Sequence, residues 1–384
     1  MGKRLTTLLI VSLAPLALQA DPVSINPRPR MQAMGGAGVA AAGTIDSAMM
    51  NPAGLLDITE NRIQAFPLTI EMPFDVGLVG SFLDYNDVRE NPTGSTGTEK
   101  TNAKRAALED FLSDLQSSSE AIRFNLYPSY TRRYMHFGLL LDMLAETKNR
   151  FGGVTSNQLT EFGGSSGTIG LILAGAYPIP HTDNRLQAGL TLKPIFKLGV
   201  AAQERQQVLD VLKGLNSGSD VGDEIFGPNP PERMAMGFGA DVGLKYWIPF
   251  YEDLLKPAVG VTYQDIGDTR FFTDDPLPKD IPQSLSVGLA IHPTLGFTQN
   301  VITLDMRSIN EQQEFLNYFH FGLESQLLRW LALRAGVAQG YFTGGVSFMT
   351  KYFEADIYVS AKEAGKKANI QAYRTLGTRL SLAF

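Results

Sequence analysis

From residue 233 to 248 the chain alternates. Met234, Met236, Phe238, Ala240, Val242, Leu244, Tyr246 and Ile248 fall on one face, and Arg233, Ala235, Gly237, Gly239, Asp241, Gly243, Lys245 and Trp247 on the other. Period two sustained that long exceeds the ~5–6 residues of an ordinary soluble strand and matches a tilted strand crossing a bilayer, which takes about 9–11 residues plus its interfaces. The pattern recurs. Phe319, Phe321, Leu323 and Leu327 oppose Tyr318, His320, Glu324 and Gln326; Phe353, Ala355, Ile357 and Val359 oppose Tyr352, Glu354, Asp356 and Tyr358. Leu186, Ala188, Leu190 and Leu192 likewise oppose Arg185, Gln187, Thr191 and Lys193, and Leu285, Val287, Leu289 and Ile291 oppose Ser284, Ser286, Gly288 and His292. Charges that keep returning to one face of long strands point to a barrel with a polar lumen and an apolar outside.

Candidate strands fall at 62–72, 121–132, 134–146, 167–178, 184–200, 233–248, 255–267, 283–293, 300–309, 317–328, 330–339, 341–350, 352–361 and 370–384. The expected fold class is therefore all-β: a transmembrane antiparallel barrel of about 14 strands, an even number as bacterial single-chain barrels have. Connection lengths agree, since the odd-numbered gaps (73–120, 147–166, 201–232, 268–282, 362–369) are long and the even ones short, as extracellular loops and periplasmic turns should be. Gly340 departs from this, which suggests that the strand boundaries around it are drawn too generously. Apolar residues at helical spacing in 103–115 and 205–215 predict short helices in the extracellular loops.

At the far end Leu376, Thr378, Leu380, Leu382 and Phe384 alternate with Gly377, Arg379, Ser381 and Ala383, and the chain stops on the aromatic. Leu380, Leu382 and Phe384 resemble the terminal signal read by outer-membrane assembly machinery, an expected partner. At the near end Lys3 and Arg4 precede an apolar-to-neutral run, Leu5–Leu18, and a small-residue site before Asp21, which reads as a secretory signal peptide over 1–20. The expected destination is the outer membrane of a Gram-negative bacterium, with membrane lipid around the barrel. With no cysteine a lipoprotein anchor is excluded, and a formal net charge of −6 argues against nucleic acid as a partner.

Between leader and barrel lies MQAMGGAGVAAAGTIDSAMMNPAGLL, Met31–Leu56, rich in Gly and Ala and nearly free of charge. No regular element suits it: glycines at 35, 36, 38 and 43 each cost a helix about 1 kcal/mol. Its methionines and leucines are too apolar for a solvated tether. A small-residue segment that must be buried, ahead of a chain of strands, predicts a hatch or plug inside the lumen over 21–61, with the barrel proper at 62–384.

MGGAGVA followed by NPAGL resembles the N-terminal hatch of the FadL family of outer-membrane barrels, and equally that of the related PorV-type and TraF-like barrels. The FadL resemblance implies passive uptake of hydrophobic small molecules, of fatty-acid or aromatic-hydrocarbon type, past a hatch. Its gate residues would be Met34, Gly35, Gly36, Gly38, Asn51, Pro52, Ala53 and Gly54. The alternative implied by the other resemblance is a scaffold for secretion or conjugation partners.

Enzyme chemistry does not emerge. There is no nucleophile elbow or Walker loop, and the histidines at 136, 181, 292 and 320 lack metal-ligand spacing, so no catalytic residue, metal or cofactor is expected. The inward set (Arg185, Lys193, Lys197, Asp241, Lys245, Asp305, Arg307, Glu324, Arg334, Glu354, Asp356, Arg379) carries both signs, suited to crosslinking the lumen and holding a plug. Tyr246, Trp247, Trp330, Tyr341, Phe342, Tyr352 and Phe353 sit at strand ends, as interfacial girdles do.

Overall fold

A computed structural model describes residues 28–107 (apart from 42, 75, 98, 101 and 105), 121–150, 159–200, 232–273 (apart from 253), 280–363 (apart from 297) and 372–384. The leader, the predicted helix at 205–215 and most of that at 103–115 lie outside the described residues.

The strand segments form one antiparallel sheet that closes on itself, first strand to last. Strand β1 is Arg62–Gln64 continued by Leu68–Pro73, with Pro67 at the break. β2 is Ala121–Leu126 continued by Ser129–Arg132, with Pro128 at the break; both halves pair with β3, Met135–Arg150. Each break is where a missing proline N–H interrupts a ladder. The circuit continues through β4 (Leu159–Pro178), β5 (Leu186–Val200), β6 (Glu232–Trp247), β7 (Ala258–Gln264) and β8 (Ser284–Ile291). It ends with β9 (Thr298–Met306), β10 (Phe319–Leu328), β11 (Leu331–Ala338), β12 (Tyr341–Met349), β13 (Phe353–Glu363) and β14 (Ala372–Leu382). A two-residue piece, Thr294–Leu295, only extends the β8–β9 hairpin. The result is a closed fourteen-strand barrel.

Burial follows the alternation. On β6, Asp241 and Lys245 are buried while Met234, Phe238 and Leu244 are exposed on the outside. An outside of Phe, Leu, Met and Ile around a charged inside is a membrane-spanning design, and barrels so built sit in the outer membrane of Gram-negative bacteria. Among the described residues no helix is long and apolar enough to cross a membrane; the strands do the crossing.

Several expectations need correction. The turn at Gln339–Gly340 is a real two-residue hairpin: both residues have positive φ (53° and 92°), the mirror-image turn that matches strand twist. The strands beside it, Leu331–Ala338 and Tyr341–Met349, are only slightly shorter than the expected 330–339 and 341–350, so the generous boundaries account for Gln339 and the connection is short all the same. Alternation slips at Leu327, where the β10–β11 register shifts between Gln326 and Leu328, so Leu328 takes the outward place. Trp247 does not belong to a girdle; it points inward and its indole donates to Asp57 at 3.1 Å. Tyr341 also turns inward, onto Glu363, whereas Trp330, Phe342, Tyr352 and Phe353 are exposed on the outside. Arg185 sits at the rim with Glu252. The first long connection carries a helix, α3 (Val76–Glu90), that no apolar stripe announces.

Candidate functional site

Residues 28–41 and 43–58 lie inside the barrel, and they are not wholly irregular as expected. A five-residue helix, α1 (Pro29–Ala33), opens with proline in its first turn, where no N–H is missed. α2 (Ser47–Met50) follows, then a tight 3-10 turn, Pro52–Asp57. None exceeds two turns, so the fold of this plug depends on what the wall offers it.

Close approach explains its composition. Gly35 has φ +68°, and a Cβ there would stand 2.5 Å from the Val337 carbonyl oxygen and 2.6 Å from that of Phe321. On the wall, Gly189 lies against Pro52, and Gly243 against Asn51 and Pro52, both too tightly for any side chain. Met34, Ala53 and Leu55 are fully buried between the two surfaces.

Polar side chains of the wall, rather than a strand ladder, hold this backbone. One Asp305 carboxylate oxygen accepts the N–H groups of Gly38 (2.6 Å) and Val39 (2.8 Å). Arg307 donates to the Gly36 carbonyl, and His320 Nδ1 bonds the Gly35 carbonyl at 2.6 Å. Thr343 donates to the Ala33 carbonyl. Asn51 uses its whole amide: Nδ2 donates to the carbonyls of Val39 (2.9 Å) and Leu244 (3.1 Å), and Oδ1 accepts from Ala53 N–H (3.1 Å). It thus ties the Asn51–Gly54 turn to another limb of the plug and to β6. Gly54 N–H closes the turn on the Asn51 carbonyl.

Charges clamp both ends. Arg30 forks onto Glu324 with bonds of 2.8 and 2.7 Å, and Glu324 also takes Arg334 at 2.6 Å. From there Arg334 reaches Asp356, Arg379 joins Asp356 to Glu354, and Glu354 takes Arg62 at 2.9 Å. The ladder runs from the plug across β10, β11, β13 and β14 to β1. At the other end Asp57 accepts Lys245 (2.7 Å), Gln187 (3.0 Å) and Trp247. Burial pushes the Asp46 carboxyl up, against the pull of Arg379, Arg30 and Arg28 around it. His292, beside Trp247 at the short-turn mouth, is held down to about 4 by burial and by Lys245.

The lumen also holds apolar clusters. Met49, Leu55 and Ile58 of the plug pack with Tyr127, Leu140 and Ile172. A second cluster, Ile195, Ala235 and Phe271 with Ile281, adjoins the first across the rung Leu140–Gly170–Ile195. Sequence reading placed the plug and the charged face; it missed Asp57, Arg30 and the inward-folded Phe271, none of which belongs to a motif.

Among the described residues no group of His, Cys, Asp or Glu could hold a metal ion. The last strand finishes the seam: Phe384 exchanges both backbone hydrogen bonds with Ile63 at 2.9 Å, while its ring and the side chains of Leu380 and Leu382 face outward.

No family model and no curated protein sequence matches this chain. Among solved structures, it is similar to a deltaS2 mutant of the TodX monoaromatic hydrocarbon channel, at 12% identity over 93% of this chain and 97% of that one, with a TM-score of 0.49. The CymD monoaromatic hydrocarbon channel gives 12% identity over 92% and 96%, TM-score 0.48. The Pseudomonas putida toluene transporter TodX gives 14% over 93% and 96%, TM-score 0.45.

Proposed function

We propose that this chain is an outer-membrane channel for passive uptake of hydrophobic small molecules, and that Met31–Leu56 is its gate. The observation that carries the reading is the way the plug is held. Side chains of the wall, Asp305, Arg307 and His320, grip its backbone, and the plug's own Asn51 grips the wall at the Leu244 carbonyl, so the plug can shift without breaking any strand pairing of the barrel. Beside it lie two apolar clusters, Phe271 with Ile195 and Ala235, and Leu140 with Leu55 and Met49, set among charges that are paired with one another all round the lumen. Apolar clusters between charges that are already paired give an apolar solute contact surface inside an otherwise polar lumen. The MGGAGVA and NPAGL segments, which resemble the FadL hatch, support the same reading.

Uptake of labelled oleate and labelled toluene should be measured in cells with and without the protein, with binding of each to the purified barrel alongside. Faster uptake of at least one solute in cells carrying the protein is expected. Equal uptake with and without it, and no binding of either solute, would overturn the channel and leave the scaffold for secretion or conjugation partners.

A further inference from the structure

Strand β6 is paired with β5 along its whole length, Leu186↔Tyr246 to Val200↔Glu232. Its other neighbour, β7, follows it only from Trp247↔Ala258 to Val242↔Tyr263. Beyond that the chain leaves the wall through Asp265, Gly267 and Asp268, all at positive φ (50°, 78° and 65°). Among the described residues, the rest of that β6 edge is held by Ile266 N–H to the Ala240 carbonyl and Phe272 N–H to the Met236 carbonyl, both 2.9 Å, a bridge between Phe271 and Gly237, and Asp265 N–H to the Asp241 carboxylate at 2.8 Å.

This flap folds inward, and β6 makes room for it. Of the inward residues on β6, Ala235, Gly237 and Gly239 are small; Gly239 lies beneath Thr269 and Asp265, and a Cβ on Gly237 would stand 2.9 Å from the Phe271 ring. The Phe271 ring is buried against Ile195, Ala235 and Ile281, with the Lys197 ammonium 5.5 Å from its centroid. The outcome is a pocket with a glycine floor, aliphatic sides and a cation near the ring, features that suit a flat aromatic guest. Elsewhere in the lumen Tyr127 lies over Gly138 and Tyr358 over Gly377, but both hydroxyls are bonded in place, to His136 at 2.6 Å and Glu71 at 2.8 Å. Phe271 has no such anchor on its ring.

The flap's attachments are those of a part that can leave. Several of its backbone N–H groups are satisfied by side chains that lie within the same connection: Phe271 by Asp280, Gln283 by Asp268, Gly267 by Gln283. Lys193 bridges Asp241 of the wall and Asp265 of the flap at 2.7 Å each, and Asp241 Oδ2 has no hydrogen-bond partner. If the flap withdraws, Lys193 keeps a carboxylate, and no buried charge is stranded.

We propose that this pocket binds an aromatic ring of the permeant and that Phe271 is its displaceable occupant. The inference rests on the channel reading and narrows it to a ligand class. Guest for ring is an exchange of like apolar area, so the flap can give way to a guest and close again behind it.

The test uses the full barrel in lipid nanodiscs and fluorobenzene as the probe, followed by its 19F signal against empty nanodiscs. Phe271→Ala should bind fluorobenzene at least about tenfold tighter than wild type, the factor expected when a competing conformer holds the site nine-tenths of the time. Ala235→Trp placed in the Phe271→Ala background should refill the pocket from the wall and abolish that gain. Heat-modifiable gel mobility confirms that each variant is folded. Equal affinity in wild type and Phe271→Ala, or a gain that survives Ala235→Trp, overturns the pocket while leaving the channel standing. Absence of binding in every folded variant overturns the pocket too, and the uptake measurement then decides the channel by itself.

Discussion

Asp305 reaches from β9 into the lumen and holds Gly38 by its backbone N–H at 2.6 Å, with the next N–H, of Val39, on the same oxygen. A carboxylate gripping two consecutive backbone donors serves as an anchor for chain that has no ladder of its own. Asp305→Ala should leave both donors buried without partners, at about 1–3 kcal/mol each. The plug should loosen while the barrel persists. Limited proteolysis of folded barrels checks this: cutting within 31–56 should speed up with heat-modifiable mobility unchanged.

The Arg30–Glu324–Arg334 junction makes an asymmetric prediction. Removing Arg30 leaves Glu324 with Arg334, so every remaining charge keeps a partner. Glu324→Gln instead strands the buried Arg30 guanidinium and leaves Arg334 with Asp356 alone. The cost of stranding a buried charge is about 3–5 kcal/mol, so Glu324→Gln should destabilise far more than Arg30→Ala. Thermal unfolding of the two variants in one detergent gives the comparison, and equal losses would mean that the junction holds nothing.

Outside and inside also differ. Phe238 and Leu323 lie on the exterior, so Arg at either should cost about 2–4 kcal/mol if near the bilayer midplane. The sequence alone suggests that Gly237→Arg or Glu324→Arg would be milder, as lumen changes. The structure reverses that for both, because Gly237 underlies Phe271 and Glu324 clamps Arg30. Urea midpoints for folding into lipid vesicles should therefore show losses on both faces.

How much of this was legible follows from the range of each interaction. Alternation is local, so β6 could be read residue by residue, and even Trp247 falls on the inward side of that pattern. Treating it as a girdle residue because it ends a strand ignored its parity. The plug was legible because Gly, Ala and Asn-Pro leave few alternatives for a buried segment. The bulge at Leu327, the early end of β7 and the inward turn of Phe271 were not, since each depends on what the neighbouring strand does. α3 was missed because its apolar residues do not gather on one helix face.

Phe384 closes the seam through its backbone and presents its ring to the outside, next to Tyr352. These two contributions can be separated. Phe384→Ala keeps both hydrogen bonds to Ile63 and removes only the aromatic; deletion removes both. If assembly machinery reads the ring, the two variants should lose assembled protein alike, measured as the heat-modifiable fraction in outer membranes. If closure of the seam dominates, deletion should be much the worse, and the terminal-signal reading of Leu380, Leu382 and Phe384 would fail.

The gate itself can be tested from both sides of one contact. Asn51→Ala removes an amide that bonds Val39, Leu244 and Ala53, leaving buried backbone groups unpaired at about 1–3 kcal/mol apiece. Gly243→Ala leaves Asn51 intact but puts a methyl where its Oδ1 and the Pro52 ring now lie, pushing the turn off β6. One variant acts on the plug and the other on the wall, and neither removes a backbone donor or acceptor from the barrel ladder. If the Asn51–Gly54 turn is a gate, both should raise single-channel conductance in planar bilayers and change the uptake of an apolar solute in the same direction. A double variant should add little, since the contact can be lost only once. Unchanged conductance in both single variants, with the barrel folded, would show that this turn does not gate the lumen.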